Sequence, residues 1–327
     1  MDINGIARLA GVSRATVSRY LNDGYVSEEK RRLIKQVIDE TGYVPSQQAK
    51  TLRTGKTNLV GVVIPKINSQ SVSRMVAGLT SVLNESKYQM LLANTDNDTG
   101  LEVEYLKLFA ERNRVDGIVL IATVITPAHR KVLGETRVPV VVLGQELSGC
   151  TSVFNDDYHA LLDVTNIVLE HSTHPAFIGV LEDDVSAGQM RHRGFLDACR
   201  DHGIEVPERA QCVSDFTVDA GYLAAERLLG AYPEADAMVC ASDNIAFGAM
   251  TCLREYGRRI PQDVQVTGVG DTDLARVITP TLTTVHHHYK TAGMEAAKVL
   301  VGAMGERDDV DREVRMSYGV LRRNSTL

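Results

Sequence analysis

Ser13, Arg14, Ala15, Thr16, Ser18, Arg19 and Asn22 lie close together near the N-terminus. Ile6, Ala7, Ala10 and Val12 precede or enter this run, and Val17 and Leu21 interrupt it. At helical spacing the apolar set gathers on one side and leaves Arg14, Ala15, Ser18, Arg19 and Asn22 facing outward. Gly11-Val12-Ser13 supplies a turn and a capping hydroxyl. Two short helices joined in this way form a helix-turn-helix, whose second helix is free to enter a DNA major groove. Arg14 can pair bidentately with guanine, and Ala15 can touch a thymine methyl. Ser13, Thr16, Ser18 and Asn22 are short donors suited to phosphate oxygens, which set register rather than sequence. Ser13 also suits plain helix capping, and Asn22 suits a helix C-terminus.

A second chemical element is Leu52, the one large aliphatic side chain within Ser46-Gln-Gln-Ala-Lys-Thr-Leu-Arg53. That stretch is long enough for two helical turns but has almost no apolar face, so alone it should be unstable. A segment that orders only against a partner is a natural coupling element. A solvated linker gives Leu52 no role. A minor-groove wedge does, because an apolar side chain can pry open a base step and kink the duplex.

The elements around these residues follow from pattern. A third helix is predicted from about Glu28 to Glu40, with Ser27 as N-cap and Gly42 just past its end. Leu33, Ile34, Val37 and Ile38 give it an apolar side that closes a three-helix head over residues 1–45. Residues 46–58 read as hinge helix and linker. From Leu59 the pattern becomes short apolar strands alternating with helices. Strands are expected at Leu59–Ile64, Gln89–Ala93, Gly117–Ile121, Pro139–Leu143, Ala176–Val180, Ala237–Cys240 and Gln265–Val269. Helices are expected near 71–87, 101–113, 127–135, 156–171, 186–202, 218–230 and 243–257. This alternation builds doubly wound parallel sheets. The pattern restarts near residue 156, which predicts two α/β lobes with a cleft between them, where such sheets bind ligands.

Composition agrees. The chain has 327 residues and a formal net charge of −7. The charge is unevenly placed: residues 1–57 hold ten Lys/Arg against six Asp/Glu, and the rest holds 25 against 36. A basic head on an acidic body attracts phosphates at one end and stays soluble at the other. No run is apolar enough to span a bilayer, and Asp2-Ile3-Asn4 leads straight into the first helix without a signal segment. Cys150, Cys199, Cys212, Cys240 and Cys252 are scattered and read as reduced, packed thiols of a cytoplasmic protein.

The residues then resemble a known family. Ala10-Gly-Val-Ser-Arg-Ala-Thr-Val-Ser-Arg19, Gly42-Tyr-Val-Pro45 and Ala49-Lys-Thr-Leu-Arg-Thr-Gly55 are similar to the head and hinge of the LacI/GalR family of bacterial transcription regulators. Gly61-Val-Val-Ile-Pro65, Val115-Asp-Gly-Ile118, Arg191-His-Arg-Gly-Phe195, Ala241-Ser-Asp243 and Thr279-Pro-Thr-Leu-Thr-Thr-Val285 continue the match along the body. The resemblance implies a core like the periplasmic sugar-binding proteins over 59–327, crossed three times by the chain near 155–160, 286–290 and 315–320. The implied N-lobe covers about 59–157 and 288–318, and the C-lobe about 158–287 and 319–327. It implies that Arg19 is a second base-reading residue and that Ala49 sits beside Leu52 in the minor groove. The implied effector wall holds Ser69, Gln70, Ser71, Gln145, Arg191, Phe216, Ser242, Asp271 and His287, with Arg191 on the ligand and Phe216 packed on its ring. Gly144 and Gly270 stand where many members place carboxylates. A cleft poorer in carboxylate tolerates an anion better, and Arg74 and Arg191 could serve a phosphate. Asp183-Asp-Val-Ser-Ala-Gly188, Ala241-Ser-Asp243 and Val269-Gly-Asp-Thr272 are similar to the trehalose-type repressors, which sense a phosphorylated disaccharide, with sucrose-type repressors as close competitors.

Other motifs fail. Gly55-Lys-Thr57 resembles the end of a phosphate loop, but Lys50 occupies the required first Gly. Gly268-Val-Gly270 lacks the later Gly of a dinucleotide fingerprint. The His286-His-His288 tract would alternate along a strand, so no metal and no cofactor are expected. The expected function is therefore a homodimeric, sequence-specific repressor of carbohydrate-use genes. It would bind pseudo-palindromic operator DNA and respond to a sugar or sugar phosphate. The chain's end, Arg322-Arg-Asn-Ser-Thr-Leu327, has no heptad tail, which favours a dimer. The rivals are a sugar-binding transport protein, which needs no such head, and an α/β sugar-modifying enzyme, which needs a nucleophile or phosphate loop.

Overall fold

A computed structural model of the chain describes residues 1–43, 55–111, 114–305 and 313–327. The chain divides into two compact units, a head up to Asn58 and a core from Leu59 onward. In the head, α1 (Ile3–Leu9) starts at Asp2, whose carboxylate accepts from Gly5 N at 2.9 Å. Gly11 turns the chain, and Ser13 caps α2 (Arg14–Tyr20) by accepting from Thr16 N at 3.2 Å. The third helix, α3 (Glu28–Thr41), stops at Gly42, whose φ of 62° is the left-handed conformation a side chain resists. Ser27 stands at its N-cap position but makes no capping bond. Ile6, Ala7, Ala10, Val17, Val26 and Ile34 form the head's buried centre. Leu33, expected inside, is 38% exposed; it sits at the rim of the apolar stripe, and Val26 fills the seam.

The core holds two six-stranded sheets. The first contains β1 (Leu59–Ile64), β2 (Gln89–Asn94), β3 (Gly117–Leu120), β4 (Val140–Gly144), β5 (Thr151–Asn155) and β11 (Glu313–Met316), in the order β11-β5-β4-β3-β1-β2 and parallel throughout. The second contains β6 (Pro175–Gly179), β7 (Gln211–Val213), β8 (Ala237–Cys240), β9 (Gln265–Val269), β10 (Thr283–His287) and β12 (Tyr318–Leu321), in the order β12-β10-β9-β8-β6-β7. Only β12 runs antiparallel, against β10. The helices α4 (Gln70–Glu85), α5 (Thr99–Ala110) and α6 (Pro127–Glu135) belong to the first lobe, together with α11 (Tyr289–Ala303). The second lobe carries α7 (Asp157–Leu169), α8 (Arg191–Asp201), α9 (Val218–Ala231) and α10 (Asp243–Glu255). A π-helical turn, Val185–Met190, leads into α8.

The chain passes between sheets three times, from Asn155 to Asp157, from His287 to Tyr289 and from Met316 to Tyr318. The helices α4 and α11 meet almost backbone to backbone. A Cβ on Gly78 would lie 2.0 Å from Lys290 O, and one on Gly293 would lie 2.0 Å from Met75 O. Glycine is required at both positions, because no side chain fits between the two main chains.

Candidate DNA-reading face and ligand cleft

On the head, the buried side of α2 is held by Val17 while Arg14, Ala15 and Arg19 lie exposed on the other side. Among the described residues the Arg14 and Arg19 guanidinium groups make no ion pair or hydrogen bond. Their donors are available to a groove edge. The Ser13 hydroxyl is engaged twice, with Thr16 N and with Thr16 Oγ1 at 2.9 Å, so it caps the helix. The Asn22 amide donates to Ser18 O at 2.5 Å. That bond is the helix-terminal role expected for Asn22. Ala49 and Leu52 lie outside the described residues.

In the core, Arg191 begins α8 and is almost fully buried at 7% exposure. Its Nε and Nη2 both reach Asp157 Oδ1 at 2.7 Å, and Nη1 donates to Ala241 O. A guanidinium carries five N–H groups, and the Tyr289 hydroxyl takes a fourth, so one remains for another acceptor. His287, from the end of β10, places Nε2 3.2 Å from the same Asp157 oxygen, off the line of a good hydrogen bond. Its Nδ1 is buried without a partner among the described residues. Burial alone would raise the Asp157 carboxyl, but Arg191 and His287 outweigh it and hold it below the usual carboxylate range. Burial likewise works against the Arg191 charge, and Asp157 overcomes it, so the guanidinium is held more firmly protonated. Nearby Asp184 caps the π-helical turn by accepting from Ala187 N at 2.8 Å. Burial pushes its carboxyl up to about 6 despite that bond and the Arg191 charge.

Arg74 and Ser186 both tie the lobes together. Arg74 on α4 donates through Nη1 to Gly270 O and Asp271 O, and through Nη2 to Asp271 O, each at 3.1 Å. The Ser186 hydroxyl donates to Gly144 O at 3.2 Å. The Asp271 carboxylate, expected on the effector wall, is engaged within its own lobe. It accepts from Arg276 at 2.7 Å, from His286 Nδ1 at 2.9 Å and from Arg323. These three partners overcome burial and hold its carboxyl far below the usual range.

The other expected wall residues are placed as follows. Gln145 is buried, with Nε2 donating to Ala122 O at 2.7 Å and Thr123 O at 3.3 Å. The Ser69 and Ser71 hydroxyls bond each other at 3.0 Å, and Gln70 is exposed at the start of α4. Phe216 is 40% exposed, and its carbonyl accepts from Asn244. Ser242 accepts from Ile245 N at 3.3 Å and so caps α10. Of the expected set, the structure gathers Arg191 and His287 around one carboxylate, and Arg74 with Asp271 across the lobes. Sequence reasoning missed Asp157, Asp184 and Ser186. It also missed Asp243, a buried carboxylate that accepts from Thr272 N at 2.7 Å, from Thr272 Oγ1 at 2.9 Å and from Thr284 Oγ1 at 2.5 Å. The only available signal was acid at the C-terminal ends of strands, where ligands gather in such sheets.

Comparison with known proteins is decisive for the class. The signature of bacterial regulatory proteins of the lacI family matches residues 2–46, and that of periplasmic binding protein-like domains matches residues 168–326. The sucrose operon repressor of Staphylococcus xylosus is 32% identical over 296 residues, covering 90% of this chain and 91% of that one. The chain belongs to the lacI family. The HTH-type transcriptional regulator RegA of Clostridium saccharobutylicum is 30% identical over 330 residues, 100% of this chain and 99% of its own. Among solved structures, a complex of the transcriptional regulator CelR with cellobiose superposes with a TM-score of 0.77 at 29% identity, covering 99% of both chains. This lacI-family chain is thus a DNA-binding transcription regulator with a helix-turn-helix head and a two-lobed core of mainly parallel sheets. No described helix is long and apolar enough to cross a membrane.

Proposed function

We propose that the protein is a dimeric, cytoplasmic repressor of carbohydrate-use genes, controlled by a sugar or sugar phosphate bound between the lobes. The observation that carries this reading is the buried Arg191–Asp157–His287 cluster beside two of the chain crossings. It holds a firmly protonated guanidinium and an imidazole nitrogen with no partner among the described residues. Buried polar groups are normally satisfied, so such a group beside a cleft suits a ligand hydroxyl or phosphate oxygen. Relatives' names agree: one is a sucrose operon repressor and one was solved with cellobiose. In this reading Arg191 and His287 hold the ligand, Phe216 covers its apolar face, and Gln145, Ser69, Gln70, Ser71 and Ser242 line the rim. No catalytic step is assigned.

On the head, Arg14, Ala15 and Arg19 read bases, while Ser13, Thr16 and Ser18 set register on phosphates. Asn22 contributes through the helix end it closes. The hinge inserts Leu52 beside Ala49 into the minor groove. A thermal-shift screen of sugars and sugar phosphates tests the cleft, because a ligand bound only to the folded form raises its melting point. The hit should then alter a specific gel shift with operator DNA. A screen in which no carbohydrate moves the transition would remove the sugar-sensing reading. Leu52→Ala should weaken the gel shift yet keep the ligand-induced thermal shift; unchanged operator affinity would remove the wedge.

A further inference from the structure

Asp271 carries a side chain yet adopts a φ of 45°, directly after Gly270 at 138°. A left-handed backbone is uncommon for any residue but glycine, and it persists where surrounding contacts over-determine it. Here they do. Asp271 is 1% exposed, and its carboxylate accepts from Arg276 and His286 at Oδ2 and from Arg323 at Oδ1.

These partners come from three separate places. Arg276 closes the short turn Asp273–Arg276 that follows Asp271. His286 lies on β10, which runs into the second passage between the sheets, and Arg323 follows β12, which begins just past the third. Arg323 is itself held, its N–H donating to Thr283 Oγ1 at 2.8 Å and its Nη1 to Leu282 O at 2.9 Å.

The side chain is fixed within the second lobe, but the main chain faces the first. Gly270 O and Asp271 O accept from the Arg74 guanidinium on α4, Asp271 O from both of its Nη atoms. The Asp273 carboxylate also lies 3.6 Å from Arg74 Nη2, but it is 89% exposed and water screens that pair. A peptide plane is rigid, so backbone torsion sets where a carbonyl points. At an ordinary torsion Asp271 O would turn away from Arg74.

We infer that Asp271 is a positioning residue for the cleft: pinned by Arg276, His286 and Arg323, it holds a left-handed backbone whose carbonyl meets Arg74 and keeps the lobes together. The device works through the main chain and does not depend on which ligand the cleft takes. It also joins this latch to two of the passages. A shift of β10 or of the segment after β12 moves His286 or Arg323, and the carbonyl turns with them.

The test measures the radius of gyration of the full, ligand-free chain by small-angle scattering, with the melting temperature alongside. Arg74→Ala sets the expansion expected when the latch is lost. Asp271→Ala should expand the protein to the same radius. Arg74→Ala/Asp271→Ala should be no larger than Arg74→Ala alone, because both changes act on one contact. Asp271→Asn should melt lower yet stay compact, because asparagine tolerates the left-handed region and keeps one acceptor. Asp273→Asn should also stay compact. Arg276 is more than half exposed, so Arg276→Ala should fold, with a radius between those of wild type and Arg74→Ala. The inference is overturned if Asp271→Ala melts lower but stays compact, or if Asp271→Asn expands as far as Asp271→Ala. It is also overturned if the double variant exceeds Arg74→Ala, if Arg74→Ala does not expand, or if Asp273→Asn does. Should Asp271→Ala fail to fold, a wild-type radius for Arg276→Ala overturns it.

Discussion

Replacing Asp157 by Asn should destabilise the core by removing the one negative charge that two buried basic groups share. Arg191 points two N–H groups at Asp157 Oδ1, both at 2.7 Å, and His287 Nε2 approaches the same oxygen at 3.2 Å. All three side chains are buried. Removing one partner of a buried pair strands the other's charge, at a cost of about 3–5 kcal/mol. The amide keeps one acceptor, which argues for the low end, about 3 kcal/mol. For a unit of this size each kcal/mol moves the melting temperature by about 2–4 °C, so a fall of about 6–12 °C is expected at pH 7 by calorimetry. The pH dependence has a definite sign. Asp157 titrates below its unfolded value in the folded protein. Its stabilisation is therefore complete above about pH 4 and lost as pH falls through the folded value. The gap between wild type and variant should close on acidification below about pH 4. The double variant Asp157→Asn/Arg191→Met removes both charges and should recover most of the loss. A melting temperature within 2 °C of wild type, or a double variant with the two losses added, would refute the shared-charge reasoning.

Asp184 gives the opposite pH signature. Burial raises its carboxyl to about 6, so ionisation costs folding stability once pH rises past the unfolded value near 4. Asp184→Asn keeps an N-cap acceptor and should raise the melting temperature at pH 7, by an amount equivalent to about 1–3 kcal/mol that disappears below about pH 4; equal melting temperatures at pH 7 would contradict the burial argument. Gly78→Ala should lower the urea midpoint by an amount equivalent to about 2–3 kcal/mol or more, because its Cβ would meet a main-chain oxygen at 2.0 Å. Arg74→Ala removes three hydrogen bonds between the lobes and should enlarge the radius of gyration of the free protein in small-angle scattering. An unchanged scattering profile would show that other contacts hold the lobes together.

Much of the fold was visible in residue pattern, because long apolar runs and strong turn signals decide it locally. Gly11 and Ser13 mark the first helical turn, and Leu59–Ile64, Ala237–Cys240 and Gln265–Val269 are strands at the expected bounds. What escaped depends on contacts distant in sequence. Strand β11, Glu313–Met316, alternates polar and apolar at a sheet edge, and β7 has only three residues, so neither carries a long apolar run. Helix α11 escaped because its buried side is made mainly of Ala292, Gly293, Ala296 and Ala297, small residues that raise no large hydrophobic periodicity. The cleft was legible in part. Arg191 stood out by its type and neighbours, but nothing local distinguishes Asp156, a helix cap, from Asp157, the buried partner of Arg191. The partners of the Asp271 carboxylate, Arg276, His286 and Arg323, converge on it only through folding, so no local signal announced them.

Ser317 alone separates two strands hydrogen-bonded into different sheets, β11 on one side and β12 on the other. A single residue between such anchors leaves almost no slack. The other two passages are equally spare, with Asp156 and His288 as their intermediate residues. Three taut straps cannot let the halves drift apart or slide, so the freedom that survives is a pivot near the straps. The mouth opposite swings through the largest arc, and small torsional changes at Asp156, His288 and Ser317 are levered outward into it.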